Sequence, residues 1–79
     1  MEEIVKFLVG KLIDEDKFEI ITEEESNNVD IKVIVDNSVI QRVIGKGGKT
    51  AKAIRSIVKN FSAGGEIKYN VFIENKENE

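Results

Sequence analysis

The stretch that decides the fold is "VIGKGGKTAKAIR", residues 43–55, in which a glycine-rich loop leads into Lys49, Thr50 and a basic segment. Such a loop can belong to a nucleotide hydrolase, whose motif needs two glycines five positions apart ahead of Lys-Ser or Lys-Thr. Here the residue five positions before Gly48 is Val43, and the preceding "SVIQRV" has the pattern of a helix, not of a buried strand. The spacing therefore predicts a helix-loop-helix element that does not hydrolyse a nucleotide.

The loop itself, "GKGG" at Gly45 to Gly48, has the composition of a phosphate-binding turn. Glycine lets the backbone approach a ligand closely and adopts positive φ angles without a steric penalty. The N–H groups that begin the next helix lack intrahelical partners and carry partial positive charge, so they attract phosphate. We expect the N–H groups of Gly47 to Thr50, with the side chains of Lys46 and Lys49, to hold a phosphodiester backbone. A tight turn between two helices, the alternative, would not need three glycines in four positions.

The net charge of −3 conceals an uneven distribution, because no acidic residue lies between Asp36 and Glu66. Six basic residues fall in that interval, which therefore carries +6 and leaves −9 for the rest (−3 minus +6). These six residues, called the basic island below, are Arg42, Lys46, Lys49, Lys52, Arg55 and Lys59. An acidic body with one basic region is typical of a domain that binds a polyanion on one side.

A helix from about Lys49 to Phe61 would separate its basic side chains from its apolar ones, since each residue turns the helix by about 100°. The apolar face consists of Ile54, Ile57, Val58 and Phe61. A basic stripe either meets nucleic acid or is simply solvated. Proximity to the loop favours phosphate contact for Lys49 and Lys52, and distance favours solvation for Lys59. Both alternatives stay open for Arg55 and for Arg42, which could also reach a base edge.

The rest of the chain reads as a single α+β domain over residues 1–79 with the element order α-β-β-α-α-β. We expect a first helix over 1–13, a hairpin of strands 17–25 and 28–36, and a short helix over 38–44 capped by Asn37 or Ser38. A third strand over 66–74 would point Ile67, Tyr69, Val71 and Ile73 inward, with residues 74–79 as a frayed tail. The two-helix crossover makes the last two strands parallel, so a mixed three-stranded sheet with helices on one face is predicted.

Composition excludes several kinds of function. The chain has no cysteine and no histidine, which removes disulfides, thiolate metal sites and catalytic triads built on Ser-His or Cys-His. No apolar run approaches the roughly 20 residues of a membrane span, and the acidic start "MEE" is unlike a secretory signal. We therefore expect a cytoplasmic binding protein that is not an enzyme, with no cofactor, no metal and no membrane contact.

Four apolar residues depart from the simple pattern. Ile44 stands directly before Gly45 and could form the floor of a binding groove or a staple between two helices. Ile34 breaks the polar face of its strand and could line that groove, belong to a dimer surface, or have neither role. Together with Ile21 and Phe72, it could also form an exposed apolar patch.

No aromatic residue lies between Asp36 and Asn60, so bases would rest on aliphatic side chains.

The stretch "GKGGKTAKAIR" resembles the GxxG core of a KH domain, a fold whose loop clamps about four nucleotides of a single strand. The element order matches the type II KH arrangement. Because the resemblance covers nearly the whole chain, this protein is similar to the small stand-alone bacterial KH proteins of the KhpA (YlqC) family. The residue patterns and this resemblance together predict RNA binding by Arg42, Ile34, Ile44, Gly45, Lys46, Gly47, Gly48, Lys49, Thr50, Lys52 and Arg55.

The same resemblance implies a post-transcriptional regulator or RNA chaperone that is linked to cell elongation. It further implies self-pairing, or pairing with a larger KH-containing protein of the KhpB or Jag type. A KH fold whose surface binds a partner protein in place of nucleic acid is the alternative function. RNA and single-stranded DNA are not distinguished by the sequence, because the loop contacts only phosphates.

Overall fold

A mixed three-stranded sheet with helices on one face forms the framework, in a computed structural model that describes residues 1–76. The elements in chain order are α1 (Glu2–Gly10), β1 (Phe18–Glu25), β2 (Asn28–Val35), α2 (Ile40–Ile44), α3 (Lys49–Ser62) and β3 (Lys68–Asn75). Short turns of 3-10 helix cover Glu15–Lys17 and Lys46–Gly48. The predicted α+β class and element order are confirmed. No helix within residues 1–76 is both long and apolar enough to cross a membrane.

The sheet has β2 at its centre and β1 and β3 at its edges. β1 and β2 are antiparallel and are joined by a tight turn, whereas β2 and β3 are parallel. In this register Ile31 of β2 lies between Thr22 of β1 and Val71 of β3. Parallel neighbours need a crossover connection, and residues 36–67 supply it through α2 and α3. The predicted hairpin and the predicted parallel pair are both confirmed.

The core lies between the sheet and the helices. Alternation along β2 directs Val29, Ile31, Val33 and Val35 toward the helices, where all four are buried. They pack in one cluster with Val5 and Val9 of α1, Val43 of α2, and Ile54 and Val58 of α3. A domain of this size buries little apolar surface, so this one cluster supplies most of its stability.

The turn before α2 differs from the predicted cap. The first helical residue is Ile40, and neither Asn37 nor Ser38 caps the helix with its side chain. Instead, Asp36 Oδ1 accepts hydrogen bonds from Ser38 N at 2.9 Å and from Ser38 Oγ at 2.7 Å. These bonds, the backbone one first, hold the pKa of the Asp36 carboxyl below its usual value because they favour its charged form. The cap prediction was wrong because the aspartate one turn earlier organises the bend.

Several predicted boundaries also shift. α1 ends at Gly10, although Ile13 beyond it is still buried. β3 begins at Lys68, which leaves Ile67 outside the strand and exposed, contrary to its predicted inward position. β3 includes Glu74 and Asn75, so the predicted tail was wrong there, and residues 77–79 lie outside the described residues. Phe61, predicted on the core face of α3, is 67% exposed on the last turns of that helix.

Ile34 is the clearest correction. It points to the outer face of the sheet, the face away from the helices, yet it is only 2% exposed. In the register of the sheet, Ile34 lies between Glu19 of β1 and Glu74 of β3. Ile21 and Phe72 are two residues away on those strands and point to the same face. A buried residue on that face cannot line a groove between helices and sheet, nor complete an exposed patch. Ile34 is therefore removed from the candidate site.

Because Ile34 is buried, a substitution there should destabilise the fold, whereas a substitution at an exposed position should have little effect. Ile34→Ala should lower the free energy of unfolding by about 2–5 kcal/mol, because it removes a buried side chain that the sheet cannot refill. Ile21→Ala, which alters a side chain 41% exposed on the same face, is the matched control and should cost about 1 kcal/mol or less. Urea unfolding measures both values, and equal losses in the two variants would contradict the burial of Ile34.

Candidate nucleic-acid interface

The glycine loop connects α2 to α3 through backbone conformations that favour glycine. Gly45, Gly47 and Gly48 have φ angles of 78°, 65° and 77°. A β-carbon on Gly45 would also overlap the side chain and backbone nitrogen of Thr50, so that position needs glycine for two reasons. Space around Gly47 and Gly48 is open. The loop is thus folded tightly at its first glycine and accessible at the other two.

Not all the backbone donors of the loop are free. Gly48 N donates to Gly45 O at 3.0 Å, and Lys49 N donates to Lys46 O. The prediction that the N–H groups from Gly47 to Thr50 all hold phosphate is therefore corrected for Gly48 and Lys49, whose donors complete the 3-10 turn. From that predicted set, the N–H groups of Gly47 and Thr50 stay candidates for phosphate.

The basic island is exposed and carries uncompensated charge. All six of its side chains are solvent-exposed. Within residues 1–76 the structure contains one ion pair, between Lys32 and Glu23 at 2.5 Å on the outer face of the sheet. That contact, a hydrogen bond reinforced by charge attraction, raises the pKa of Lys32. Because no carboxylate pairs with the island among the described residues, its positive potential faces solvent.

A groove runs between α3 and the free edge of β3. Arg55, Val58 and Lys59 line it from the helix, and Lys68, Tyr69 and Phe72 line it from the strand. The groove has a volume of about 420 Å³. Its two walls are close enough for Arg55 Nε to donate to Val71 O at 3.0 Å. Arg55 is thus neither a simply solvated residue nor part of the loop, but a side chain held at the edge of β3.

The structure brings most of the predicted site together. Gly45 to Thr50 form the loop, Lys52 follows one turn along α3, and Arg55 and Lys59 extend into the groove. Ile44 is half-buried at the end of α2 and packs against the core, as expected of an apolar staple between the two helices. Part of its side chain stays accessible. Arg42 lies elsewhere, in a small cleft with Lys11 and Lys17.

The sequence analysis missed the strand side of the groove. Lys68, Tyr69 and Phe72 are far from the loop in sequence, and the expectation of purely aliphatic base contacts considered only residues near it. Tyr69 is half-buried beside Val58, and Phe72 is partly exposed at the rim. The predicted parallel crossover was the signal that could have found them, because it forces α3 to run next to β3.

Comparison with known proteins places this geometry in a family. The model of the KhpA/KhpB KH domain matches residues 2–73. The RNA-binding protein KhpA of Bacillus subtilis is 38% identical over 65 residues, which cover 81% of this chain and 78% of that protein. The RNA-binding protein KhpA of Listeria monocytogenes is 41% identical over 59 residues, which cover 73% of this chain and 78% of that protein.

The family match covers the glycine loop and most of the sheet, so the resemblance is not confined to one motif. The family is defined by a KH domain and is not a family of enzymes, which confirms that prediction. The observed element order is that of a type II KH fold. The chain belongs to the KhpA/KhpB family of KH-domain proteins.

Proposed function

We propose that this protein binds single-stranded RNA, with phosphates at the glycine loop and bases in the groove between α3 and β3. The observation that carries the proposal is the loop geometry. An accessible glycine turn with exposed lysines opens the long helix α3, and the same helix forms one wall of a groove from Arg55 onward. Two relatives that share most of this chain are named RNA-binding proteins, which supports RNA as the ligand.

The phosphate contacts follow from the charges and the backbone. Lys46 and Lys49 flank the open glycines, and Lys52 continues the positive surface along α3. The N–H groups of Gly47 and Thr50 add donors at the positive end of the α3 dipole. A backbone that passes this loop would meet charge and directed hydrogen bonds together, without any need for a closed nucleotide pocket.

The bases would lie along the groove, where about four nucleotides fit a KH domain. Val58 and Tyr69 offer apolar surface on facing walls. Ile44, half-buried directly before the loop, adds apolar surface outside the groove. The edge of β3 and the polar side chains of the groove supply hydrogen bonds to base edges. One such module binds weakly, so pairing with a second KH domain raises the affinity through effective concentration.

The cellular role we propose is post-transcriptional. On the strength of the family resemblance, the protein acts in the cytoplasm as an RNA regulator or chaperone that influences cell elongation. Crosslinking in cells followed by sequencing of the attached nucleic acid tests this role and separates RNA from single-stranded DNA. Recovery of DNA alone, or of no nucleic acid, would exclude it.

The loop can be tested by reversing its charge. The double variant Lys46→Asp with Gly47→Asp should lower affinity for a short single-stranded RNA at least tenfold, because two carboxylates would face the phosphates. Fluorescence polarisation measures binding, and circular dichroism checks that the exposed loop has not disturbed the fold. Aspartate tolerates the left-handed conformation at Gly47 better than most residues do.

The matched control is Lys46→Asn with Gly47→Asn, which keeps the shape of the aspartates without their charge and should lose much less affinity. With about 3–5 phosphates engaged, the wild-type logarithm of affinity should fall with log[salt] at a slope of roughly −2 to −3.5. Unchanged RNA binding by the aspartate variant would refute the proposal that the glycine loop holds the phosphates. If the protein binds no RNA yet still pairs with a protein partner, the alternative function as an interaction adaptor is correct.

We also propose that the protein pairs with a second KH chain, either a copy of itself or a longer member of the family. Two large apolar side chains support this, because Phe7 of α1 is 63% exposed and Phe61 of α3 is 67% exposed. These two helices pack against each other, so both phenylalanines belong to the helical side of the domain. The earlier candidate patch around Ile34 is replaced by this surface.

Sedimentation of the purified protein should reveal a concentration-dependent dimer, which Phe7→Ser with Phe61→Ser should weaken because the variant removes apolar area from the interface. Ile21→Ser, on the outer face of the sheet, is the control and should leave the association unchanged. A protein that stays monomeric at high concentration, alone and with a longer KH relative, would contradict pairing.

A further inference from the structure

We propose that the outer face of the sheet, the face away from the helices, is a docking surface for a basic amphipathic helix of another protein. Such a partner would contact the molecule on the side opposite its own helices, so the inference does not rest on RNA binding. Three features of the face support it: its charge, a concave acidic site at one end, and two apolar side chains beside that site.

The charge of the outer face follows from the register of the three strands. Every second residue points to this face: positions 19, 21, 23 and 25 of β1, positions 28, 30, 32 and 34 of β2, and positions 68, 70, 72 and 74 of β3. Five of these residues are acidic and two are basic, namely Glu19, Glu23, Glu25, Asp30 and Glu74 against Lys32 and Lys68. The outer face therefore carries −3 (2 minus 5), whereas the basic island lies on α2, the glycine loop and α3.

Most of that negative charge is not balanced within the molecule. The ion pair between Lys32 and Glu23 is the only one within residues 1–76, so no lysine or arginine pairs with the other four carboxylates there. Lys32 shows how the face acts on a cation. Its hydrogen bond to Glu23, followed by attraction to Glu23, Glu74 and Asp30, raises the pKa of its ammonium group. A cation that arrives from outside would be attracted by the same carboxylates.

A concave acidic site lies at the hairpin end of this face. It has a volume of about 510 Å³, and its lining includes Glu23, Glu24, Glu25, Asp30 and Asn70. Asn70 Nδ2 donates to Asp30 Oδ1 at 3.0 Å, which positions that carboxylate on the central strand. Within residues 1–76 no three carboxylates converge closely enough to hold a metal ion. The site instead suits the ammonium or guanidinium groups of a protein, which spread their charge over several contacts.

Two apolar side chains lie next to the acidic site. Ile21 of β1 is 41% exposed and Phe72 of β3 is 43% exposed, and they stand on either side of Lys32. Ile34, in the next row of the face, is buried. Nucleic acids and anionic membrane surfaces would be repelled by a face that carries −3. A partner must therefore combine apolar side chains with positive charge.

The spacing on the face matches a helix. Along β1 the apolar row at Ile21 and the acidic row at Glu23 are two residues apart, a distance of about 7 Å. Residues four apart on a helix share one face and are separated by about 6 Å along its axis. An apolar residue followed four positions later by lysine or arginine would therefore meet both rows at once. The inner face of the same sheet is already covered by helices.

A second copy of this chain is a poorer match for the face. On α3, Phe61 lies about 160° around the helix from Lys59, so the two side chains cannot meet one surface together. The apolar residues Ile54 and Val58 of α3 are buried in the core. α1 exposes Phe7 but contains two glutamates against one lysine, so it lacks positive charge. The occupant is therefore a segment of a different protein.

The experiment titrates the full chain, labelled with nitrogen-15, with three synthetic peptides about 18 residues long, enough to form a helix. The first peptide has leucine and lysine on one helical face, four residues apart, in an alanine background. The second has glutamate in place of lysine, and the third has leucine and lysine on opposite faces. The first should bind at least about fivefold more tightly than either of the others. The largest changes in amide chemical shift should fall on the three strands.

Variants test the two parts of the surface. Glu23→Gln with Glu25→Gln removes two carboxylates from the acidic site and should weaken binding of the first peptide about fivefold or more. Glu3→Gln with Glu15→Gln removes the same charge from exposed positions on α1 and the turn after it, and should change binding by less than about twofold. Ile21→Ser should weaken binding without any change in charge. Circular dichroism checks the fold of each variant.

Several results would overturn the proposal. These are equal affinity for the three peptides, shift changes confined to α1, α3 or the glycine loop, and equal losses in the two double glutamine variants. Self-association that Ile21→Ser abolishes would also overturn it, because a second copy would then occupy the face. The peptide series and the shift map need no variant, so the test holds even if a variant unfolds.

Discussion

Parallel pairing of β2 with β3 is the constraint on which the rest of this structure depends. Two parallel neighbours cannot be joined by a tight turn, so the chain must cross one face of the sheet between Val35 and Lys68. That crossover buries the valine-rich face of β2 and returns along β3 as α3. The glycine loop is the bend inside the crossover, and the groove is the space between its returning helix and the sheet edge. Core, loop and groove thus follow from one pairing.

The crossover also explains how an acidic chain can present a basic surface. Its residues 37–65 carry +6 whereas the rest of the molecule carries −9, consistent with the total of −3. The molecule measures 36 × 23 × 20 Å, and charges in physiological salt are screened over about 8 Å. A polyanion at the loop therefore senses the crossover far more than the acidic outer sheet, where Glu19 and Glu23 lie. The net charge of the whole chain is therefore a poor guide to which ligands such a domain attracts.

Local patterns predicted most of the fold, because they depend on residues close in sequence. Alternation along β2 and the 3.6-residue period of α3 placed the core correctly at Ile31, Ile54 and Val58. The failures came from contacts that no local pattern encodes. Phe61 has the period of a core residue, but α3 continues past the part of the domain that could cover it. Ile34 has the period of a surface residue, but a central strand gives it neighbours on both sides.

In the candidate site, too, the local features could be predicted from the sequence and the features set by distant contacts could not. The glycine loop was recognisable because its requirement is local: positive φ at three positions, with Lys46 between them and Lys49 directly after. Which of its N–H groups are free was not, since that depends on how the 3-10 turn closes. The groove wall formed by Tyr69 and Phe72 was also missed, because a helix meets a strand there across a long sequence separation. A local motif therefore predicts a candidate loop more readily than it predicts the groove that a distant strand completes.

The bond between Arg55 and Val71 bears on the stability of the sheet edge. An edge strand exposes unpaired carbonyls that invite association with other strands, and proteins protect such edges with charge or with a covering element. On β1 the glutamates at positions 19, 23 and 25 provide the charge. On β3 the guanidinium of Arg55 occupies a carbonyl directly. The same contact fixes the guanidinium against the strand, so one side chain both protects the edge and joins α3 to β3. Lysine has a single flexible ammonium group and no planar guanidinium, so charge alone would not reproduce this contact.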